Sequence, residues 1–413
     1  MSKSLALGLA VLVCGFAALT PASTVRAWPQ VDAGAIMVMD VSSGRPVYSK
    51  YPDRKLKPAS TTKIMTAILA IESGKLGEVV TVSERASGVE GSRIYLEEGE
   101  KQTLRDLVYA LMLVSANDAA VAIGEHLAGS VEAFAELMNL KARQLGCTNT
   151  NFVNPHGLDH PNHYTTARDL ALIARYAMGN PVFRQVVATK EWQIPWPVKN
   201  STRTLYNENR LLYSEDGTGV KTGYTTSAGH CMVASAKRGN LEVIVVILNG
   251  QATFWRDIRK LIDFFFQEYS PWVVVSKGAP LGTLPLGSWP FGKQLVGLAG
   301  ADLVVPLSDQ EKGAVAGTKL RTEVVWQEGL RPPIRAGQIV GTAVVKVEMP
   351  AGLDLPPLEV PVVASQDVVP PRATWNSVVG WAGIGYSLMA LARRARRKRR
   401  RRQRHFKHLH RRL

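Results

Sequence analysis

Three cysteines in 413 residues are too few for a disulfide framework, and no two stand at the close spacing of a thiolate metal site. Cys14 falls in a leader segment, which leaves Cys147 and Cys231, and the sequence leaves their pairing open. Long apolar runs are also scarce. The run Leu5–Leu19 is too short to cross a bilayer comfortably; with Lys3 before it and Val25-Arg26-Ala27 after it, residues 1–27 read as a secretory signal peptide and the mature chain starts near Trp28. A lipoprotein reading is disfavoured by Val13, where a small residue should precede a lipidated Cys14. Acidic residues are missing from 393–413, a tail that holds 13 of the 50 Lys and Arg. Lys3 and Arg26 account for two more, so residues 28–392 lie within one charge of neutral although the formal net charge is +16. A nucleic-acid-binding protein therefore explains the tail and nothing else, and no nucleic-acid partner is expected. With 46% apolar and 20% charged residues the chain is neither disordered nor collagenous, and its length suits two or three domains.

What is present falls into two textures. From Gly34 to about Tyr269, extended and helical signals alternate. Ala35–Met39 and Pro46–Tyr48 predict a strand pair turned at Ser42–Arg45. Apolar spacing of three and four predicts helices over 60–73, 104–114, 117–128, 131–145 and 166–178, the last with Thr165-Thr166 as its cap. Strands follow at 220–224, 229–236 and 241–248, and an amphipathic helix at 254–268. This is one α/β domain, placed at 28–270, with strands at both ends of its sequence. From 271 to 371 Pro and Gly recur, helical periodicity vanishes, and short runs at 301–305, 322–326 and 343–347 alternate as half-buried strands do. They predict a smaller all-β sandwich or barrel domain. Residues 372–392 are then expected to form a membrane-anchor helix, because the stretch from Ala373 to Ala392 is uncharged and includes Trp375, Trp381 and Tyr386; spanning is favoured over in-plane binding, with the arginine-rich tail 393–413 on the cytoplasmic side.

Three short elements carry chemistry. In Pro58-Ala59-Ser60-Thr61-Thr62-Lys63 the three-residue separation places Ser60 and Lys63 on one helix face, where a nucleophile and its base can meet near free backbone N–H groups. Taken alone, the same residues make an N-cap and a solvated lysine. Ser115-Ala116-Asn117 puts a polar trio between two apolar helices, either a satisfied turn or a proton relay beside an amide. Lys221-Thr222-Gly223 on a strand offers a cation and a hydroxyl for an anion, a glycine for close backbone approach, and the next N–H, that of Tyr224, for an oxyanion. Gly217–Thr222 imitates a phosphate loop only faintly, since the spacing is wrong and a strand follows where a helix should.

In this order the three elements are the Ser-x-x-Lys, Ser-x-Asn and Lys-Thr-Gly signature of penicillin-binding proteins and β-lactamases. Together with Lys57–Lys63, Ser115–Ala119, His156-Gly157-Leu158-Asp159 and Val220–Thr225, they make the chain, from about Asp32 to about Pro371, resemble the D-alanyl-D-alanine carboxypeptidase family of low-molecular-mass penicillin-binding proteins. The resemblance implies an α/β (α+β) penicillin-binding-protein/β-lactamase-like catalytic domain and an acyl-enzyme on Ser60, formed from peptidoglycan stem peptides and trapped by β-lactam antibiotics. It implies Lys63 as base, Ser115 as proton relay, Asn117 as the holder of a substrate amide, and Lys221 with Thr222 as the carboxylate site. The N–H groups of Ser60 and Tyr224, beside Gly223, make the oxyanion hole. It calls for no cofactor or metal, and for work at the outer face of the cytoplasmic membrane. Rival readings are a β-lactamase-like hydrolase, against which Ala116 stands where class A enzymes have Asp; a non-catalytic wall-binding protein, which needs a lesion in the motifs that is absent; and a zinc peptidase using His156, Asp159, His160 and His163, whose spacing needs a helix that Gly157 and Pro161 oppose.

Overall fold

The structure is a computed structural model of the chain and describes residues 27–285, 294–315, 317–348, 355–369, 389 and 391–396. The expected signal peptide, Ala27 apart, and the expected anchor, apart from Met389, Leu391 and Ala392, lie outside these residues, as does the tail beyond Arg396. No helix among the described residues is long and apolar enough to cross a membrane.

The first strands are β1 (Ala33–Asp40) and β2 (Pro46–Lys50), followed by α1 (Lys63–Glu72), β3 (Val79–Thr81), α2 (Glu84–Gly88) and β4 (Lys101–Thr103). A helical stretch comes next: α3 (Leu104–Leu113), α4 (Asn117–Ala128), α5 (Val131–Gln144), α6 (Ala167–Met178) and α7 (Pro181–Ala188). The chain then forms the hairpin β5 (Glu191–Trp196) and β6 (Ser201–Tyr206), the meander β7 (Gly217–Thr225), β8 (Gly229–Arg238) and β9 (Leu241–Gly250), and α8 (Phe254–Glu268). Beyond it lie β10 (Tyr269–Val275), β11 (Pro280–Pro285), β12 (Gln294–Ala299), β13 (Leu303–Ser308), α9 (Asp309–Ala314), β14 (Lys319–Trp326), β15 (Ile339–Glu348) and β16 (Leu358–Ala364).

The described residues up to Ala279, with Ala301–Glu323 and Ala343–Val360, form one compact unit. Its main sheet has the order β2-β1-β9-β8-β7 and is antiparallel throughout. β1 joins the two ends of the sequence by pairing Ala33 with Gly250 and Asp40 with Val243. Both sheet faces are covered, so the two central strands are apolar on both sides. Along β1, Ala35, Met37 and Met39 enter the core shared with the helices, whereas Ile36 and Val38 pack in a second core with Ile258, Leu261 and Phe265 of α8; on β9, Ile244, Val246 and Leu248 alternate with Val243, Val245 and Ile247 in the same way. The helix starts follow local rules. Thr103, Ser130 and Thr166 cap α3, α5 and α6 through their side-chain oxygens, and Asn180 with Pro181 opens α7.

The other unit comprises Pro280–Gly300, Val324–Thr342 and the described residues from Pro361 on. The second five-stranded sheet has the order β11-β12-β16-β15-β14, and Trp326 lies against Gly297, where a Cβ would stand 2.7 Å from its indole. Among the described residues of 271–371 one helix interrupts the strands. α9 is too short for its periodicity to register; a capping box between Ser308 and Glu311 starts it.

A buried ion pair braces the first unit. Arg203 of β6 donates to both carboxylate oxygens of Glu100 at 2.5 and 2.8 Å, with the carboxylate fully buried, and its Nη2 reaches the Tyr95 carbonyl at 3.0 Å. Arg203→Met removes the countercharge of a buried carboxylate that then keeps only Gln102 Nε2 and the Glu97 N–H as partners, so urea unfolding should show a loss of about 3–5 kcal/mol. A loss under about 1 kcal/mol would mean the pair is solvated.

Candidate active site

Ser60 stands one short turn ahead of α1, in a 3-10 turn over Ala59–Thr62 that Thr61 closes by donating from Oγ1 to the Pro58 carbonyl at 2.6 Å. The helix proper starts at Lys63. Residues three apart eclipse in such a turn, so the predicted meeting of Ser60 and Lys63 survives the change of helix type. Lys63 Nζ lies 3.0 Å from Ser60 Oγ, and it donates to Asn117 Oδ1 and the His156 carbonyl, both at 2.7 Å. The lysine is wholly buried. Burial first, and then the charge of Lys221, hold its pKa well below the ordinary lysine value, against an opposing pull from Glu208 and Asp118.

The second element forms the turn between α3 and α4. Ser115 is buried at φ +63°, a left-handed conformation that a serine adopts only under constraint, and its hydroxyl makes no hydrogen bond among the described residues. Besides Lys63, Asn117 is fixed at two points of its own and a third on its neighbour. Its N–H donates to the Ser92 carbonyl at 2.7 Å, its Nδ2 to the Glu90 carbonyl at 2.6 Å, and the next residue, Asp118, accepts from Ile94 and Leu96 N–H at 3.0 Å each. Asp118 is fully buried, and desolvation pushes its pKa up against these hydrogen bonds. Sequence reading overlooked the segment Gly91–Leu96; its only visible sign is a Gly-Ser turn, and no motif spacing links it to Asn117.

The third element is on β7, an edge strand. Lys221 is buried, donates to the Thr222 carbonyl at 3.1 Å, and has its pKa pushed down to about 8 by burial, opposed by Glu208. Thr222 and Gly223 are half-buried. At Gly223 a Cβ would stand 2.7 Å from Ser60 N, so the absence of a side chain brings strand and nucleophile together. Tyr224 is exposed, with its ring 4.7 Å from that of His230. The His156–Asp159 block closes the site from beneath. Gly157, at φ +91°, leaves no room for a Cβ, which would overlap the Ala59 carbonyl, and Asp159 accepts from Thr225 Oγ1 at 3.0 Å and Ser227 Oγ at 2.5 Å. Lys57 donates to Ser227 Oγ at 2.8 Å, which ties the strand end to the segment before Ser60. Ser60, Lys63, Asn117 and Gly223 are thus brought together by direct contacts, and Lys221 lies near enough to Lys63 to lower its pKa.

The histidines of the rival zinc reading are engaged in other contacts. His163 pairs through Nε2 with Thr62 Oγ1 at 2.9 Å and accepts from Val153 N–H at Nδ1, and His156 Nδ1 accepts from Leu158 N–H at 3.1 Å. Burial lowers the pKa of His156 to about 3 and of His163 to about 4, so both are neutral. Among the described residues no group of three or more His, Cys, Asp or Glu is placed to hold a metal ion. Cys147 and Cys231 are free and buried, and desolvation raises both thiols to about 12.

Gly223→Ala forces β7 away from Ser60 N, and acylation by a penicillin should slow about 100-fold or more while the fold persists. Stopped-flow acylation together with circular dichroism checks this; unchanged acylation would show that the close approach is dispensable.

Comparison with known proteins agrees with this geometry. A profile of the D-alanyl-D-alanine carboxypeptidase family matches residues 22–252. The chain is 33% identical over 326 residues to D-alanyl-D-alanine carboxypeptidase DacF of Bacillus subtilis, covering 76% of this chain and 82% of that protein. It is 34% identical over 337 residues to D-alanyl-D-alanine carboxypeptidase DacC of Escherichia coli, covering 77% and 81%. Penicillin binding protein 5 from Haemophilus influenzae superposes with a TM-score of 0.61 at 27% identity, over 83% of this chain and 99% of that one. A mutant of the Streptomyces K15 DD-transpeptidase gives 0.55 at 33% identity, over 58% and 99%. The chain belongs to the D-alanyl-D-alanine carboxypeptidase family of serine peptidases, with its mixed α/β penicillin-binding fold.

Proposed function

We propose that the protein removes the terminal D-alanine from peptidoglycan stem pentapeptides through an ester on Ser60. The observation that carries this is the surroundings of Lys63 Nζ. A neutral amine has two N–H groups and one lone pair. The two acceptors at 2.7 Å, Asn117 Oδ1 and the His156 carbonyl, use the N–H groups and leave the lone pair for Ser60 Oγ at 3.0 Å. Lys63 takes the hydroxyl proton as Oγ attacks the carbonyl of the penultimate D-alanine, and the peptide nitrogen leaves as the amine of free D-alanine once Ser115 passes it a proton. Lys221 and Thr222 hold the terminal carboxylate, Asn117 holds a substrate amide, and the N–H groups of Ser60 and Tyr224 receive the oxyanion. Water then hydrolyses the ester. A penicillin presents the same carbonyl but keeps its leaving group tethered, so its ester persists.

In this reading residues 28–270 are the catalytic domain, 271–371 a β-rich sandwich domain, and the enzyme works on the outer face of the cytoplasmic membrane. The apolar leader before Ala27 supports export. The uncharged stretch 373–392 followed by an acid-free tail supports anchoring through the C-terminal segment, with the arginines inside.

Mass spectrometry after exposure to a penicillin should find the adduct on Ser60, and Ser60→Ala should lose both the adduct and D-alanine release; an adduct elsewhere, or an active variant, refutes the reading. The two lysines also set the pH dependence. Lys63 works when neutral and Lys221 when charged, so kcat/KM should rise as pH climbs through the depressed Lys63 value and fall as pH passes about 8, where free Lys221 loses its proton. A profile with no alkaline limb would remove Lys221 from carboxylate binding.

A further inference from the structure

The segment that walls Asn117 carries one side chain the mechanism leaves unused. Tyr95 is 65% exposed and holds φ +59°, a left-handed conformation that strains a bulky residue. The strain is imposed from both sides. The N–H groups of Ile94 and Leu96 both end on the buried Asp118 carboxylate at 3.0 Å, and the Tyr95 carbonyl accepts from Arg203 at 3.0 Å. Glycine would make the same turn without strain, and an exposed ring contributes little to stability, so nothing in the fold accounts for a tyrosine here. Beside it the Arg93 guanidinium lies 5.3 Å from the ring centroid; its one hydrogen bond among the described residues is a long 3.5 Å contact to the Val89 carbonyl, and it has no ion pair there.

An arginine flanking an aromatic face with its charge unpaired is suited to a carboxylate. Glu97 and Glu98, exposed on the same segment, suit an ammonium. The same segment touches Asn117 through Glu90 and Ser92, and Asn117 touches Lys63, so this surface adjoins the side of the cleft where a substrate amide upstream of the scissile bond would be held.

We propose that Tyr95 and Arg93 form a subsite for the residue that precedes the two D-alanines, and that it selects a side chain ending in both a carboxylate and an ammonium, as in a diaminopimelyl residue, over a lysyl side chain, which lacks the carboxylate. The subsite rests on the carboxypeptidase reading above. The ring packs along the peptide while the guanidinium takes the carboxylate.

The test is D-alanine release from N-acetyl-diaminopimelyl-D-alanyl-D-alanine and from N-acetyl-lysyl-D-alanyl-D-alanine. The wild-type protein should favour the first in kcat/KM by about fivefold, the reach of an exposed ion pair, and high salt should erode the preference. Arg93→Ala should bring the two peptides to equal efficiency. Tyr95→Gly relieves the strained φ, so its Tm should rise while kcat/KM falls on both peptides; a purely structural tyrosine would move stability and activity together. Equal turnover of both peptides by the wild type, a preference that survives Arg93→Ala, or a Tyr95→Gly variant that loses stability along with activity each overturns the subsite and leaves the carboxypeptidase intact. Failure to cleave either peptide, with no penicillin ester on Ser60, overturns both.

Discussion

Water has been taken away from one lysine, and the rest of the site follows from that. An ammonium buried as deeply as Lys63 loses several kcal/mol of hydration, and a second buried lysine nearby adds repulsion. Both effects favour the neutral amine and lower the Lys63 pKa. A neutral amine still needs acceptors for its N–H groups, or their desolvation goes uncompensated. Asn117 is therefore held rigidly by the segment beside it, and the His156 carbonyl is delivered by a turn that glycine alone can make against Ala59. Lys221 depresses its neighbour's pKa, and in the proposed reaction the same charge meets the substrate carboxylate.

Much of this was legible in the sequence because it rests on short-range pattern. The Ser60–Lys63 spacing survives a change of helix type, Thr166 caps α6 as its position predicts, and the alternation in β1 and β9 separates two cores. What stayed hidden depends on contacts between distant residues. No periodicity announces that Asp118 will gather the N–H groups of Ile94 and Leu96, nor that Arg203 will reach Glu100 across the unit. Helices of five or six residues, α2 and α9, are shorter than the window in which periodicity can be judged. The histidines are a case where composition and role part company. Their clustering in sequence suggests ligation, yet His163 bonds Thr62 while His156 supports its own turn, so a compositional cluster became packing.

Three non-glycine residues around the site share an uncommon backbone state. Ala59 precedes the nucleophile at φ +48°, Ser115 opens the second element at +63°, and Tyr95 stands on the wall at +59°. Each sits where a hydrogen-bonded neighbour fixes the chain, and each sets where the next group points. Local strain of this sort survives only when the surroundings over-determine it, and buried polar anchors such as Asp118 supply that determination.

The pairing of β1 with β9 also orders events in time. β1 lies near the start of the domain and its partner near the end, with the helices encoded between them. Contacts of such long sequence separation are slow to form, because a large loop must close before they give anything back. A growing chain that has not yet released β9 can collapse its helices but cannot seat β1, and without β7 to β9 there is no Lys221 and no Gly223 beside Ser60. The catalyst therefore comes into being in one late step.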